Sequence, residues 1–323
     1  MRRRRTASGT SWRSGWPVAD QPVIAVVGPT ATGKSQLAVA LARRLDGEIV
    51  NADSMQLYAG MDIGTAKLPL GERHGVPHHL LDVWPIGKSA AVAEYQTLAR
   101  STIAEIHGRA RLPILVGGSG LYLRGALDHL EFPGESPEIR SRLYAELHAV
   151  GAPALHARLA TLDAAAAASI LPSNGRRIVR ALEVIELTGG PFVASMPAFE
   201  SVYDCVQVGL DRDDLDERVG RRVHAMMDAG FLHEVRALLP AGLRDSPTAG
   251  KALGYAQLLG CLDDAGDVVD DVPAAVEATV RATRRFVRRQ RSWFRRDPRV
   301  RWFDAAADGL LDRVLNVLPP SPA

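Results

Sequence analysis

Cysteine is nearly absent: Cys205 and Cys261 are the only two among 323 residues. Two thiols exclude a disulfide framework and any Cys-based zinc finger within the chain. No apolar run reaches bilayer-spanning length, so no membrane helix is expected. The start, MRRRRTASGTSWRSGW, is basic, but no apolar segment follows it, which excludes a secretory signal of the usual build. Residues 1–21 read as a disordered basic tail. A cytoplasmic enzyme with no membrane partner is the expectation. Acid is missing from one stretch in particular. Between Arg281 and Arg301 there are ten arginines and a single acid, Asp297. That stretch carries +9, and since the chain nets +2, the rest sums to −7. Charge segregated in this way points to a polyanionic partner.

What is present is an α/β pattern. Apolar residues make up 46% of the chain, enough for a large core. Residues 22–130 alternate between strand-like runs (22–27, 47–52, 112–117) and helix-like runs (35–45, 90–107). Such alternation predicts a parallel sheet flanked by helices. With the motif GPTATGKS at 28–35 following its first strand, the expected fold is P-loop NTPase-like. The turn-rich EFPGESPE then breaks the pattern, and 131–200 read as a helical insertion domain, punctuated by Pro172 and Asn174-Gly175. Residues 203–211 predict a strand returning to the sheet. The remainder, to 323, reads as core completion followed by a basic helical region.

The strongest local signal is Gly28-Pro29-Thr30-Ala31-Thr32-Gly33-Lys34-Ser35, a G-x-x-x-x-G-K-[ST] loop between a strand and a helix. Its backbone N–H groups and helix N-terminus can cradle phosphate oxygens. Lys34 adds a point charge, and the Ser35 hydroxyl can reach Mg²⁺. Asp53 lies just past the second strand, on the same rim. It suits a Mg²⁺ ligand, a general base or a turn cap, and the spacing alone does not choose among them. His78 and His79 point to opposite sides of an extended chain, poor geometry for one metal, so a structural or hinge role is expected. The third strand ends in Gly117-Gly118-Ser119. There the glycines permit close approach of a ligand and Ser119 offers a hydroxyl. A nucleotide hydrolase would commonly place a Mg²⁺-binding aspartate at such a strand end.

The arginine-rich stretch has helical periodicity. At about 100° per residue, arginines 281, 284, 285, 288, 289, 291, 295 and 296 fall within an arc of roughly 160°. Ala282, Phe286, Val287, Trp293 and Phe294 fill the opposite side, and Asp297-Pro298 ends the helix. Arg176, Arg177 and Arg180 form a second basic cluster in the insert.

Together these segments resemble the bacterial tRNA dimethylallyltransferases, also called tRNA isopentenyltransferases. The matching pieces are GPTATGKS, NADSMQLYAGMDIGTAKLP, GVPHHLLD, VGGSGLYLRGAL, NGRRIVRALEV, MMDAGFLHEVRAL, KALGYAQ and ATRRFVRRQRSWFRRD, in that order. The resemblance implies transfer of a dimethylallyl group from dimethylallyl diphosphate to N6 of the adenine at tRNA position 37, in the anticodon stem-loop. It implies Mg²⁺ as cofactor; a monomer is the expectation, though the sequence does not give the oligomeric state. By similarity Asp53 is the base, the hydroxyl of Ser119 contacts the reacting region, and Lys34, Ser35 and the loop amides stabilise the departing diphosphate. One of Arg218 and Arg222 reaches that diphosphate. The family places tRNA contacts on Asp53, Ser54, Met55 and Gln56; on Arg176, Arg177 and Arg180; on Lys251, Gly254 and Tyr255; and on Arg288, Arg289, Gln290, Trp293 and Arg295. Ser119 stands where threonine is usual, and Gly175-Arg176 where Pro-Gln commonly precedes the arginine. The competing expectations are a P-loop small-molecule or nucleotide kinase and a dimethylallyltransferase acting on AMP.

Overall fold

The computed structural model describes residues 22–192 and 198–318. The expected tail, 1–21, lies outside them. Strand β1 (Val23–Val27) leads through the phosphate loop into α1 (Lys34–Leu45), followed by β2 (Gly47–Asn51), β3 (His78–His79), α2 (Val92–Gly108), β4 (Leu112–Gly117) and α3 (Gly120–Leu127). Four helices come next: α4 (Pro137–Val150), α5 (Ala152–Leu162), α6 (Ala164–Ser169) and α7 (Gly175–Thr188). The chain then runs through β5 (Cys205–Asp211), α8 (Leu215–Asp228), α9 (Phe231–Leu238), α10 (Tyr255–Leu259), α11 (Val272–Phe294), β6 (Val300–Asp304) and α12 (Leu310–Leu315).

The six strands form one parallel sheet in the order β3-β2-β4-β1-β5-β6. Strand β1 is wholly buried because both faces of the sheet are covered. Val23, Ala25 and Val27 join one core with Tyr95, Ile103, Leu123 and Phe294, whereas Ile24 and Val26 join another with Leu37, Leu41 and Val314. A strand covered on both faces has no solvent side to mark with polar residues, which is why it reads as one apolar run. Strands β1, β2 and β4 all end on one rim, so the phosphate loop, Asp53 and Ser119 follow strand ends on the same edge.

Two edges depart from the sequence reading. The His78–His79 pair is an edge strand beside β2, where His79 Nε2 lies 2.6 Å from Glu48 and His78 Nδ1 lies 2.8 Å from the Val76 carbonyl. At the other edge β6 pairs with β5, in a region expected to be mostly helical. Only Val300 of its five residues is buried, so its apolar signal is weak.

The chain folds as two compact units, one of them His129–Glu200 and the other the residues on either side of it. The smaller unit holds α4–α7 around Leu143, Leu155, Leu159, Ile178 and Leu182. Asn174 caps α7 by accepting from the Arg177 N–H at 3.2 Å, and Gly189 closes it with φ 66°.

Candidate active site

The phosphate loop is shaped by close approach. Gly28 has φ 130°, and a Cβ there would lie 2.3 Å from the Leu210 carbonyl oxygen on β5. No residue with a side chain fits. Loop carbonyls are held from within the protein. Pro29 O accepts from Lys34 Nζ at 2.6 Å and from Thr32 Oγ1 at 2.9 Å, and Ala31 O accepts from Arg218 Nε at 2.9 Å. Thr30 N–H donates to Gln290 Oε1 at 3.0 Å. The loop, α8 and the segment after β2 enclose a polar cleft of about 500 Å³. Thr30, Ala31, Gly33, Lys34 and Ser35 line it, whereas Gly28, Pro29 and Thr32 are turned into the fold and shape the loop.

Asp53 faces this cleft. Its Oδ1 accepts from the Met55 N–H at 3.0 Å, so it does close a turn, as one of the open readings had it. Burial pushes its carboxyl above the usual aspartate value, with the Met55 bond, Lys34 and Arg222 pulling the other way. Burial also draws the Lys34 ammonium down to about 7; Asp53 opposes that shift and Arg222 adds to it. Both arginines singled out on α8, Arg218 and Arg222, line the polar cleft. Arg218 is tied to the loop carbonyl. Arg222 has no hydrogen bond or ion pair among the described residues, and burial lowers its guanidinium pKa. Ser119 sits at the N-cap of α3, and its Oγ accepts from the Ser54 N–H at 3.1 Å, 3.2 Å from Ser54 Oγ.

A second cleft of about 360 Å³ opens beside the first. Met226, Phe231, Tyr255 and Phe286 give it an apolar wall, and Ser119, Lys251 and Arg289 stand on its polar side. The two clefts share Thr30, Asp53, Thr65 and Arg222. An anion cradle thus meets an apolar pocket at a carboxylate. Such a site can hold a phosphorylated apolar group on one side and an acceptor's proton at Asp53.

Several residues are placed otherwise than the sequence suggested. Tyr255 is fully buried, and its hydroxyl donates to Glu234 Oε1 at 2.5 Å, so it walls the pocket and is withdrawn from the surface. Gly254 is buried beside it, φ 84°, against Phe231. Glu234, which drew no attention in the sequence, also accepts from the N–H groups of Asp62, Ile63 and Gly64, fixing the loop that carries Thr65. Gln290 is only 4% exposed. Its Nε2 donates to Gly118 O at 2.9 Å while its Oε1 holds Thr30, so both ends of the amide are engaged inside the protein. Its signal was in the wheel, about 180° from Arg281 and in the middle of the apolar side. Trp293, one turn on, packs over Gly120, where a Cβ would lie 2.0 Å from its indole Nε1. The glycines after β4 therefore admit α11 as well as facing the cleft.

The basic face of α11 is divided. Arg291 and Arg295 pair with Asp211, and Arg284 donates to the Asp216 carbonyl. Arg281, Arg285, Arg288, Arg289 and Arg296 are exposed. Lys251, Arg176 and Arg177 are exposed as well. Arg180 instead binds the Pro133 and Gly134 carbonyls and Glu183 within the smaller unit. Ser54, Met55 and Gln56 are half-buried at the cleft mouth, with Gln56 Nε2 donating to Thr65 O at 3.0 Å.

Fold and site together define a P-loop α/β protein whose phosphate-loop cleft opens on an apolar pocket. The IPP transferase family model matches residues 56–297, and the chain belongs to that family. It is 62% identical over 303 residues to the tRNA dimethylallyltransferase of Thermobifida fusca, covering 92% of this chain and 94% of that protein. It is also 62% identical to the tRNA dimethylallyltransferase of Streptomyces avermitilis, over 90% of this chain and 92% of that one. Among solved structures it resembles the tRNA isopentenylpyrophosphate transferase of Bacillus halodurans, with TM-score 0.65 and 39% identity over 92% of this chain and 95% of that one. A eukaryotic dimethylallyltransferase acting on tRNA matches in fold, with TM-score 0.76 at 24% identity over 92% and 78% of the two chains.

Proposed function

We infer that this protein transfers the dimethylallyl group of dimethylallyl diphosphate to N6 of the adenine at tRNA position 37, in the anticodon stem-loop, releasing diphosphate. The observation that carries the reading is the meeting of the polar and apolar clefts at Asp53. The diphosphate lies against the loop amides, Lys34 and Arg222. The five-carbon group reaches past Thr30, and the adenine enters the apolar pocket. N6 is a poor nucleophile because its lone pair is delocalised into the ring, so a base must accept the proton as the bond forms. Asp53 takes that proton. The new bond joins N6 to C1 of the allyl group as the C1–O bond breaks. Its electrons leave on the diphosphate, whose charge Lys34 and Arg222 stabilise.

Mg²⁺ fits the available donors. Among the described residues no group of three or more His, Cys, Asp or Glu forms a cage. Mg²⁺ commonly keeps several waters and takes substrate phosphate oxygens. The Ser35 hydroxyl and the diphosphate would hold it, which leaves the Asp53 carboxylate uncoordinated as the base. The ion would neutralise charge on the leaving group.

RNA binds through Lys251, Arg288 and Arg289 near the pocket, and through Arg176 and Arg177 on the insert. The adenine must be splayed from its loop to reach the pocket. No described helix is long and apolar enough to cross a membrane, and we place the reaction in the cytoplasm, carried out by a single chain. The test is one assay with labelled dimethylallyl diphosphate and Mg²⁺, offering an anticodon stem-loop, free AMP or no acceptor. Label in the stem-loop alone is expected. Label in AMP alone would move the chain to the adenylate reaction, and no transfer with ATP consumed in parallel would favour a kinase.

A further inference from the structure

The buried amide of Gln290 bridges two pieces of the donor site that are far apart in sequence. Its Oε1 accepts from the Thr30 N–H in the phosphate loop, and its Nε2 donates to Gly118 O at the end of β4. It is 4% exposed, on the same helix as the exposed Arg288 and Arg289. Thr30 belongs to both clefts, so a displacement of its backbone disturbs the point where donor and acceptor meet. The neighbourhood is built to keep the amide in place. A Cβ on Gly118 would lie 2.3 Å from Gln290 Nε2, and Trp293 seats the next turn of the helix over Gly120. A hydrophobic residue in this apolar-facing position would pack as well but would leave one loop N–H and one strand-end carbonyl without partners.

We propose that Gln290 is a positioning residue through which the arginine-bearing helix α11 sets the phosphate loop for the diphosphate, so that RNA held on α11 and donor held in the loop reinforce each other. The proposal rests on the reading of the site as a diphosphate-using tRNA transferase. Reinforcement of this kind is reciprocal: if RNA tightens the donor, the donor tightens RNA by the same factor. Gln290 touches neither substrate. It acts by holding Thr30.

The experiment replaces Gln290 by methionine, which keeps the length and bulk of the side chain and removes both hydrogen bonds. Four quantities are read on wild type and Q290M. They are pyrophosphate affinity with Mg²⁺, stem-loop affinity without donor, pyrophosphate affinity with stem-loop bound, and amide exchange over residues 28–35. Expected are a loss of about tenfold or more in pyrophosphate affinity, from two buried polar groups left unpaired; faster exchange at Thr30; stem-loop affinity within about twofold of wild type; and disappearance of the gain that stem-loop gives to pyrophosphate. In turnover the donor KM rises and the RNA KM does not. Unchanged pyrophosphate affinity, or a loss confined to stem-loop affinity, would overturn the proposal, the latter making Gln290 an RNA contact. Should Q290M melt too low to assay, Gln290→Leu with the same readings takes its place. The first pyrophosphate reading needs no acceptor, so a wild-type protein that binds pyrophosphate yet never prenylates RNA would count against the proposed function, while the loss or retention of that affinity in Q290M still decides the role of Gln290.

Discussion

Asp53 can be a base, a turn cap or both, and the two roles differ in magnitude enough to be separated. Replacing it by asparagine keeps an oxygen where Oδ1 accepts the Met55 N–H at 3.0 Å, so the turn survives. Basicity is lost. General-base catalysis contributes roughly 10²–10⁴ in rate, or about 3–5 kcal/mol of barrier. The turn bond is a backbone-to-side-chain contact worth about 1 kcal/mol net, which is roughly a fivefold effect. Asp53→Asn should therefore lower single-turnover prenylation of a stem-loop by about 10²–10⁴. Asp53→Ala should fall only a further fivefold or so, because it adds the loss of the turn. Stem-loop affinity should stay within about threefold of wild type in both, since Asp53 lies at the floor where the clefts meet and the exposed arginines are untouched. The assay is rapid-quench transfer with enzyme in excess, which removes product release from the reading. An Asp53→Asn enzyme retaining more than about a tenth of the wild-type rate, with Asp53→Ala well below it, would reduce Asp53 to a turn cap and refute the assignment.

The remaining predictions separate structural from functional cations. Arg288→Ala should reduce the slope of log affinity against log salt for the stem-loop by about 0.7–0.9, the share of one phosphate contact. Arg291→Ala, whose guanidinium is paired with Asp211, should leave that slope alone and lower the unfolding free energy by about 1–2 kcal/mol in urea titration. Arg299→Ala should cost about 3–5 kcal/mol, because Asp128 is 1% exposed and loses one of the two arginines that hold it. Lys34→Met should weaken pyrophosphate about 10–100-fold by calorimetry, since a charge-assisted contact is removed from a site already low in water. An unchanged affinity would show that the lysine stays on the Pro29 carbonyl when the ligand is bound.

How much of this was readable from the chain depends on how local the cause is. Strand β1 was legible because burial on both faces is written in five adjacent apolar residues, and the loop after it because its motif is contiguous, although the carbonyl that demands glycine at position 28 lies on β5. Strand β6 was not: an edge strand with exposed Arg301 and one buried valine carries no period worth reading, and only pairing with β5 makes it a strand. The Gly117-Gly118-Ser119 segment was seen, but the reason for Gly118 lies 172 residues away, in Gln290 on α11, and Gly117 is needed for the Ala52 backbone. Glycine next to a phosphate loop suggests a ligand, and no local pattern can say that a helix needs the same space. The wheel held a signal that the assignment of Gln290 to RNA passed over. A polar residue in the middle of an apolar helical face is costly when buried unless both ends of its amide are satisfied. The position of Gln290 alone therefore demanded a donor and an acceptor deep in the fold. The structure supplies them as Thr30 and Gly118, both on the polar cleft, and this links the helix that carries the basic face to the loop that would carry the diphosphate.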